Sequence, residues 1–165
     1  MIFSAFSIRQ KNGGITLVEV LVSISISVFI LAGAVGTYIF FKNIRNTEAL
    51  NNAGNIAKFR LEEARSLTLS SKDSSVYGVH FETSAVVLFK GNTYVAGAST
   101  NDVSSLGPYA TISTSLNGGG SDVVFSRLTG ETTQNGTITA AEVADPTKTI
   151  TITLSQTGFV SLQSP

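Results

Sequence analysis

Cysteine and tryptophan are missing from the 165-residue chain, and histidine occurs once. Without cysteine there is no disulfide framework, no thiol nucleophile and no cysteine-based zinc site, although the absence suits either redox compartment. A single histidine, His80, is a poor start for a metal centre or for the base of a nucleophile, and it reads as a solvent-facing strand residue. Charge is scarce as well: 13% of residues carry it and the formal net charge is zero. From residue 67 onward four Lys/Arg stand against seven Asp/Glu. Nucleic-acid binding through bulk electrostatics is therefore disfavoured, and only a local patch, such as Lys90, Arg127 and Lys148 drawn together by folding, would support it. There is no Gly-x-Ser-x-Gly elbow, and the glycines of "NGGG" (117–120) are not followed by Lys-Ser or Lys-Thr, so no phosphate loop is present. Asp145-Pro146 beside Glu142 has oxygens to offer calcium, but the spacing matches no calcium loop and a turn is the reading. Neither an enzyme nor a cofactor is expected.

What the chain does have is an apolar run of membrane length. Ile15 to Phe41 is almost unbroken, and Val20 to Phe41 supplies 22 residues with no charge. At about 1.5 Å per residue this exceeds the ~20 residues a spanning helix needs. The apolar core of a secretory signal peptide is shorter, about 7–15 residues. Arg9 and Lys11 precede the run and favour a cytoplasmic N-terminus, while Lys42 and Arg45 lie just past its far end. One carboxylate, Glu19, stands near the start. At helix depth in a bilayer such a group costs about 2.5–3.5 kcal/mol on insertion scales, less near the interface, and is functional by default. In the intact chain no cation lies one turn away. A cut between Gly14 and Ile15 would create an α-ammonium four residues before Glu19, able to pair with it within one chain or between neighbours.

Gly14-Ile15-Thr16-Leu17-Val18-Glu19, followed at once by the apolar run, resembles the processing site of bacterial type IV pilins and type II secretion pseudopilins. The resemblance implies a leader, residues 1–14, removed by a prepilin peptidase with Gly14 before the cut. It implies N-methylation of Ile15, Thr16 and Leu17 as parts of the processing motif, and Glu19 as an assembly contact that neutralises a neighbour's N-terminal amine. Gly33 and Gly36 stand where many major pilins have a proline.

Beyond Phe41 an amphipathic pattern continues. Leu50, Ala53, Ala57, Leu61 and Ala64 recur every three or four residues, with Glu48, Lys58, Arg60, Glu62, Glu63 and Arg65 on the remaining faces. No proline interrupts residues 15 to 67, so one helix of about 50 residues is expected, with a bend plausible at the weak helix formers Asn51-Asn52 and Gly54-Asn55. From Ser70 the sequence turns strand-like: residues 76–82, 85–90, "TYVA" after the Lys90–Thr93 turn, 110–113, 122–126 and 136–140. Residues 97–102 read as loop. "TITITLS" (149–155) puts Ile150, Ile152 and Leu154 on one face, and Gln156-Thr157-Gly158 turns it into "FVSLQ" as a closing hairpin. The expected fold is α+β: a long N-terminal helix, transmembrane then amphipathic, packed on an antiparallel all-β head. Its divisions are 1–14 leader, 15–41 transmembrane or filament-core helix, 42–68 amphipathic helix and 69–165 head.

"YGVHF", "VVFSRLTGE", the closing "ITITLSQTGFVSL" and the helix end "IAKFRLEEARSLTLSSK" resemble the H-type minor pseudopilins and FimT-type minor pilins. That resemblance implies a minor subunit of a type IV pilus or secretion pseudopilus, anchored in the inner membrane with its head outside. The implied partners are prepilin peptidase, other pilin or pseudopilin subunits, an inner-membrane assembly platform and membrane lipid. The alternative is a surface-displayed binding module, for DNA uptake or adhesion, anchored by the same helix.

Overall fold

A computed structural model describes residues 14–163; residues 1–13, most of the expected leader, lie outside the described residues. The chain divides into two compact units between Phe41 and Lys42, and α1 (Leu17–Leu69) runs through that boundary.

In the first unit every described residue is exposed in the single chain. Twenty-five residues of α1 fall here, about 37 Å at 1.5 Å each, enough for a ~30 Å hydrocarbon layer. The polar side chains in the run hide their donors: the hydroxyls of Ser23, Ser25, Ser27 and Thr37 each donate to the carbonyl four residues back, at 2.7, 2.8, 2.8 and 2.9 Å. Such back-bonding leaves none of these four hydroxyl donors bare in an apolar medium.

In the second unit α1 buries Asn46, Leu50, Ala53, Gly54, Ala57, Leu61, Ala64 and Thr68, a stripe at the 3.6-residue period. Small residues dominate that stripe, so the helix comes close to the strands. A Cβ on Gly54 would stand 2.9 Å from Ile150 Cγ2. The helix hydrogen bonding runs unbroken through Asn51–Asn55: Gly54 is there for space, and packing outweighs its propensity cost of about 1 kcal/mol.

Eight strands follow: β1 (Tyr77–Glu82), β2 (Ala85–Lys90), β3 (Asp102–Ser105), β4 (Ala110–Leu116), β5 (Asp122–Val124), β6 (Gly136–Glu142), β7 (Thr149–Leu154) and β8 (Val160–Gln163). They form two antiparallel four-stranded sheets, ordered β3-β2-β1-β5 and β4-β6-β7-β8. Inward residues of both sheets, among them Val79, Phe81, Val123, Ile138, Ile150 and Ile152, join Leu50, Ala57 and Leu61 of α1 in one buried cluster. This is the helix-on-antiparallel-sheet architecture expected from the sequence. Truncating a residue such as Leu61 to alanine would cost about 2–5 kcal/mol.

Two local expectations are corrected. "TYVA" is no strand. Gly91 and Gly97 take left-handed φ values of 116° and 73°, and the segment loops over the outer face of the first sheet. There the Tyr94 ring stacks on His80 with centroids 3.8 Å apart and meets Phe89 edge-on at 5.8 Å. Conversely Asp102, read as loop, begins β3, whose polar sequence pairs because β2 offers it an edge. His80 is half-buried, not solvent-facing. Its Nδ1 bonds the carboxylate of Asp122, its register partner across the β1–β5 pair.

At the helix end, Thr68 Oγ1 donates to the Ala64 carbonyl (2.8 Å) and accepts the Tyr77 N–H (2.9 Å), joining α1 to β1. In the turn between them, Asp73 accepts the Tyr77 hydroxyl at 3.0 Å and faces Lys90 Nζ at 3.3 Å. The Tyr77 bond first, and Lys90 second, hold the Asp73 carboxyl below its ordinary pKa. A depressed folded-state value means stabilisation that is present at neutral pH and lost as pH falls through it. Asp73→Asn is thus expected to lower the melting temperature at pH 7, and the gap should narrow as pH falls below the ordinary carboxylate range. Melts across pH 2–7 check this; a gap constant with pH would refute it.

Candidate processing and assembly site

Thr16 sits immediately before α1, and its Oγ1 accepts the backbone N–H of Glu19 at 3.2 Å. The Thr16 carbonyl accepts the first helical bond, from Val20 N at 3.2 Å. Thr-x-x-Glu ahead of an apolar run is the sequence form of a helix-capping box, with Thr as N-cap and Glu at the third helical position. The same residues thus carry a helix-capping signal as well as the processing motif. Capping by Thr is worth about 1 kcal/mol, and a carboxylate in the first turn gains further from the helix dipole. Glu19 thus stands where a helix best tolerates it, close to the segment's end. Ile15 and Glu19 line one shallow concavity with Val20, Ser23 and Ile24, which puts the residue after the expected cut and the carboxylate on one face. Gly14 is exposed, with open space about its Cα.

The head motifs also acquire physical reasons. In "YGVHF", Gly78 lies under the Phe89 ring: a Cβ there would be 2.5 Å from Phe89 Cζ and 2.7 Å from the Val123 carbonyl oxygen. Arg65, from sequence one charge of a solvated face, instead joins three segments. Its Nε donates to the Gly130 carbonyl (3.2 Å) and its Nη2 reaches the Thr157 carbonyl (3.5 Å). Gly158 has φ +76°, and a Cβ on it would fall 2.0 Å from Gly130 O and 2.7 Å from Arg65 Nε. The Ser126–Gly130 turn, the β7–β8 turn and the end of α1 therefore meet at Arg65. Arg60 likewise bridges Glu63 (2.7 Å), Asp102 (2.8 Å) and Ser104 (2.9 Å), fastening β3 to α1.

Glu142 is buried beside α1, with Oε1 accepting from Asn46 Nδ2 at 2.7 Å and Oε2 facing Lys148 Nζ at 3.6 Å. Asp145 is engaged by Thr147, and among the described residues no group of three or more His, Asp or Glu could hold a metal. The three cations that would have made a nucleic-acid patch do not all gather. Lys90 and Arg127 meet at one turn, where Lys90 faces Asp73 and Arg127 donates to the Ser74 carbonyl (3.2 Å), whereas Lys148 lies with Glu142.

An apolar N-terminal helix continued into an antiparallel β head is the type IV pilin-like fold, and residues 9–35 match the family model described as the prokaryotic N-terminal methylation motif. The fold is similar to that of the type IV minor pilin FimU of Pseudomonas aeruginosa, with a TM-score of 0.51 at 14% identity over 69% of this chain and 92% of that one. No curated protein matches the sequence.

Proposed function

We propose that this chain is a minor subunit of a type IV pilus, made as a membrane-inserted precursor and cut between Gly14 and Ile15. Residues 1–14 form the leader, 15–41 the membrane and later filament-core helix, 42–68 the amphipathic helix and 69–165 the head. Prepilin peptidase removes the leader, Ile15 is N-methylated, and other pilin subunits receive the helix at an inner-membrane assembly platform. Before assembly the N-terminus is cytoplasmic and the head lies outside. The role is structural, not enzymatic. One observation carries the reading: the methylation motif at residues 9–35 spans the capped start of an apolar helix whose first-turn carboxylate, Glu19, lies one turn from the expected new N-terminus. The likeness of fold to a minor pilin favours a pilus over a secretion pseudopilus.

Intact mass and N-terminal sequencing of membrane-extracted protein test cleavage and methylation together. The expected product begins at methylated Ile15. Gly14→Leu is expected to abolish cutting and leave a species heavier by residues 1–14. Cleavage elsewhere, or undiminished cleavage of Gly14→Leu, would overturn the assignment.

A further inference from the structure

Asn-Gly occurs three times in the chain, at 12–13, 117–118 and 135–136, and the first falls outside the described residues. The pair is reactive because glycine places no side chain beside its own backbone nitrogen. That nitrogen can reach the carboxamide carbon of the preceding asparagine and close a five-membered ring. The step is intramolecular, so local geometry sets its rate. The fold treats the two described pairs in opposite ways.

Asn135-Gly136 is locked. Gly136 begins β6, which lies between β4 and β7. The Asn117 N–H donates to the Asn135 carbonyl at 2.8 Å, and the Glu142 N–H donates to the Lys148 carbonyl at 3.1 Å. The alternation of an antiparallel ladder then turns the Gly136 N–H toward Leu154, its register partner on β7. Backbone also crowds this glycine: a Cβ on it would stand 2.2 Å from the Ser115 carbonyl oxygen. Asn117-Gly118 is open by contrast. It lies in the connection from β4 to β5, and both residues are exposed. Among the described residues the Gly118 N–H has no acceptor. Gly118, Gly119 and Gly120 all have open space where a Cβ would stand. Beyond the Asn117 N–H bond, the turn is held by the Gly119 N–H on the Leu116 carbonyl (3.0 Å) and Asn117 Nδ2 on the Thr133 carbonyl (3.3 Å). Rotation that brings the Asn117 carboxamide against the Gly118 nitrogen costs these two surface bonds and meets no packed neighbour.

We propose that Asn117 is a site of self-modification, by deamidation through a cyclic imide. The Gly118 nitrogen bonds to Asn117 Cγ, the Cγ–Nδ2 bond breaks, and ammonia departs with the proton lost from the Gly118 nitrogen. Solvent water then opens the ring at either carbonyl, leaving an aspartate or a β-linked isoaspartate at position 117. Either product is acceptor-only where the amide had donated to Thr133, and it adds one negative charge to the turn. The three glycines that follow absorb the extra backbone atom of the β-linkage, so the head stays folded. A subunit therefore records its age as charge at this turn.

Trypsin separates the two sites, because Lys90, Arg127 and Lys148 are consecutive cations: Asn117 falls in peptide 91–127 and Asn135 in peptide 128–148. The full chain, kept folded in detergent, would be held in warm, mildly alkaline buffer and sampled by digestion and mass spectrometry. Peptide 91–127 is expected to gain about 1 Da, at Asn117, at least tenfold faster than peptide 128–148 does at Asn135. In chain unfolded by urea the two rates should agree within about twofold. Gly118→Ala, whose methyl group stands beside the attacking nitrogen, should slow the reaction at Asn117 by about tenfold. Equal rates in the folded chain, or a mass gain located at Asn92 or Asn101 in place of Asn117, would overturn the proposal. So would a rate difference that survives unfolding undiminished, since it would not come from the turn.

Discussion

Replacing Glu19 by Gln is expected to leave leader removal intact and to reduce the subunit's recovery in sheared filaments by about tenfold or more. The reasoning begins with the solvent. In the proposed precursor Glu19, at the segment's end, would keep headgroup water, and Thr16 and the helix dipole ease its position. Drawing the helix out of lipid into a bundle of other helices removes that water. The α-ammonium of a cut chain at Ile15, its own or a neighbour's, then becomes the available partner. Opposite charges about 4 Å apart at an effective dielectric of ~20 attract by about 4 kcal/mol before desolvation, and removing one member of a desolvated pair costs about 3–5 kcal/mol because the other is left uncompensated. Gln keeps the shape and loses only the charge, so its comparison with Thr16→Ala separates charge from capping. Thr16→Ala should cost about 1 kcal/mol at the helix start and reduce assembly far less. Immunoblots of sheared and membrane fractions decide it, and filament entry of Glu19→Gln at the unmodified level would end the pairing argument.

Gly158→Ala is expected to be the most damaging single-methyl addition to the head, at about 3–4 kcal/mol. A left-handed φ costs a non-glycine residue about 1–2 kcal/mol. The remainder comes from the collision: the new Cβ would meet the Gly130 carbonyl at 2.0 Å, and backbone cannot rotate aside as a side-chain tip can. Relief requires parting the β7–β8 turn from the Ser126–Gly130 turn, which also undoes both Arg65 bonds. Gly118→Ala is the matched control, with φ +84° and open space around its Cβ position, so it carries strain without collision. Thermal melts of the full chain should show a drop on the order of 10 °C for Gly158→Ala and only a few degrees for Gly118→Ala. Equal drops would show that strain alone governs this turn.

The parts of the structure that were legible from sequence are those whose cause is local or periodic. The 3.6-residue stripe from Leu50 to Ala64 predicted the buried face of α1, and strict alternation in "TITITLS" predicted which residues of β7 point inward. What escaped the reading depends on partners far along the chain. β3 is polar and forms only because β2 presents an unpaired edge and Arg60 fastens Asp102 and Ser104 to α1. Tyr94 and Val95 have strand-forming side chains, but the ring of Tyr94 finds His80 and Phe89, and the flanking glycines let the chain loop to reach them. Gly54 weakens a helix in isolation and serves this one because Ile150 and Leu162 pack against it. At the candidate site, Thr16 and Glu19 were legible twice over, as a processing motif and as a capping box. Arg65 was not legible at all, since both of its acceptors are backbone carbonyls 65 and 92 residues away.

The fastenings of α1 to the head have a mechanical consequence. Asn46, Arg60 and Arg65 each bond the strands or their loops at a different height along the same helix. A pull applied at Lys42 along the helix axis would stretch all three together, with the small-residue stripe sliding against Ile150. Anchors stretched in parallel share the tension, so they must give way at once and cannot be unzipped one after another. A subunit built in this way passes traction from a filament's core to its outer surface without first shedding its head.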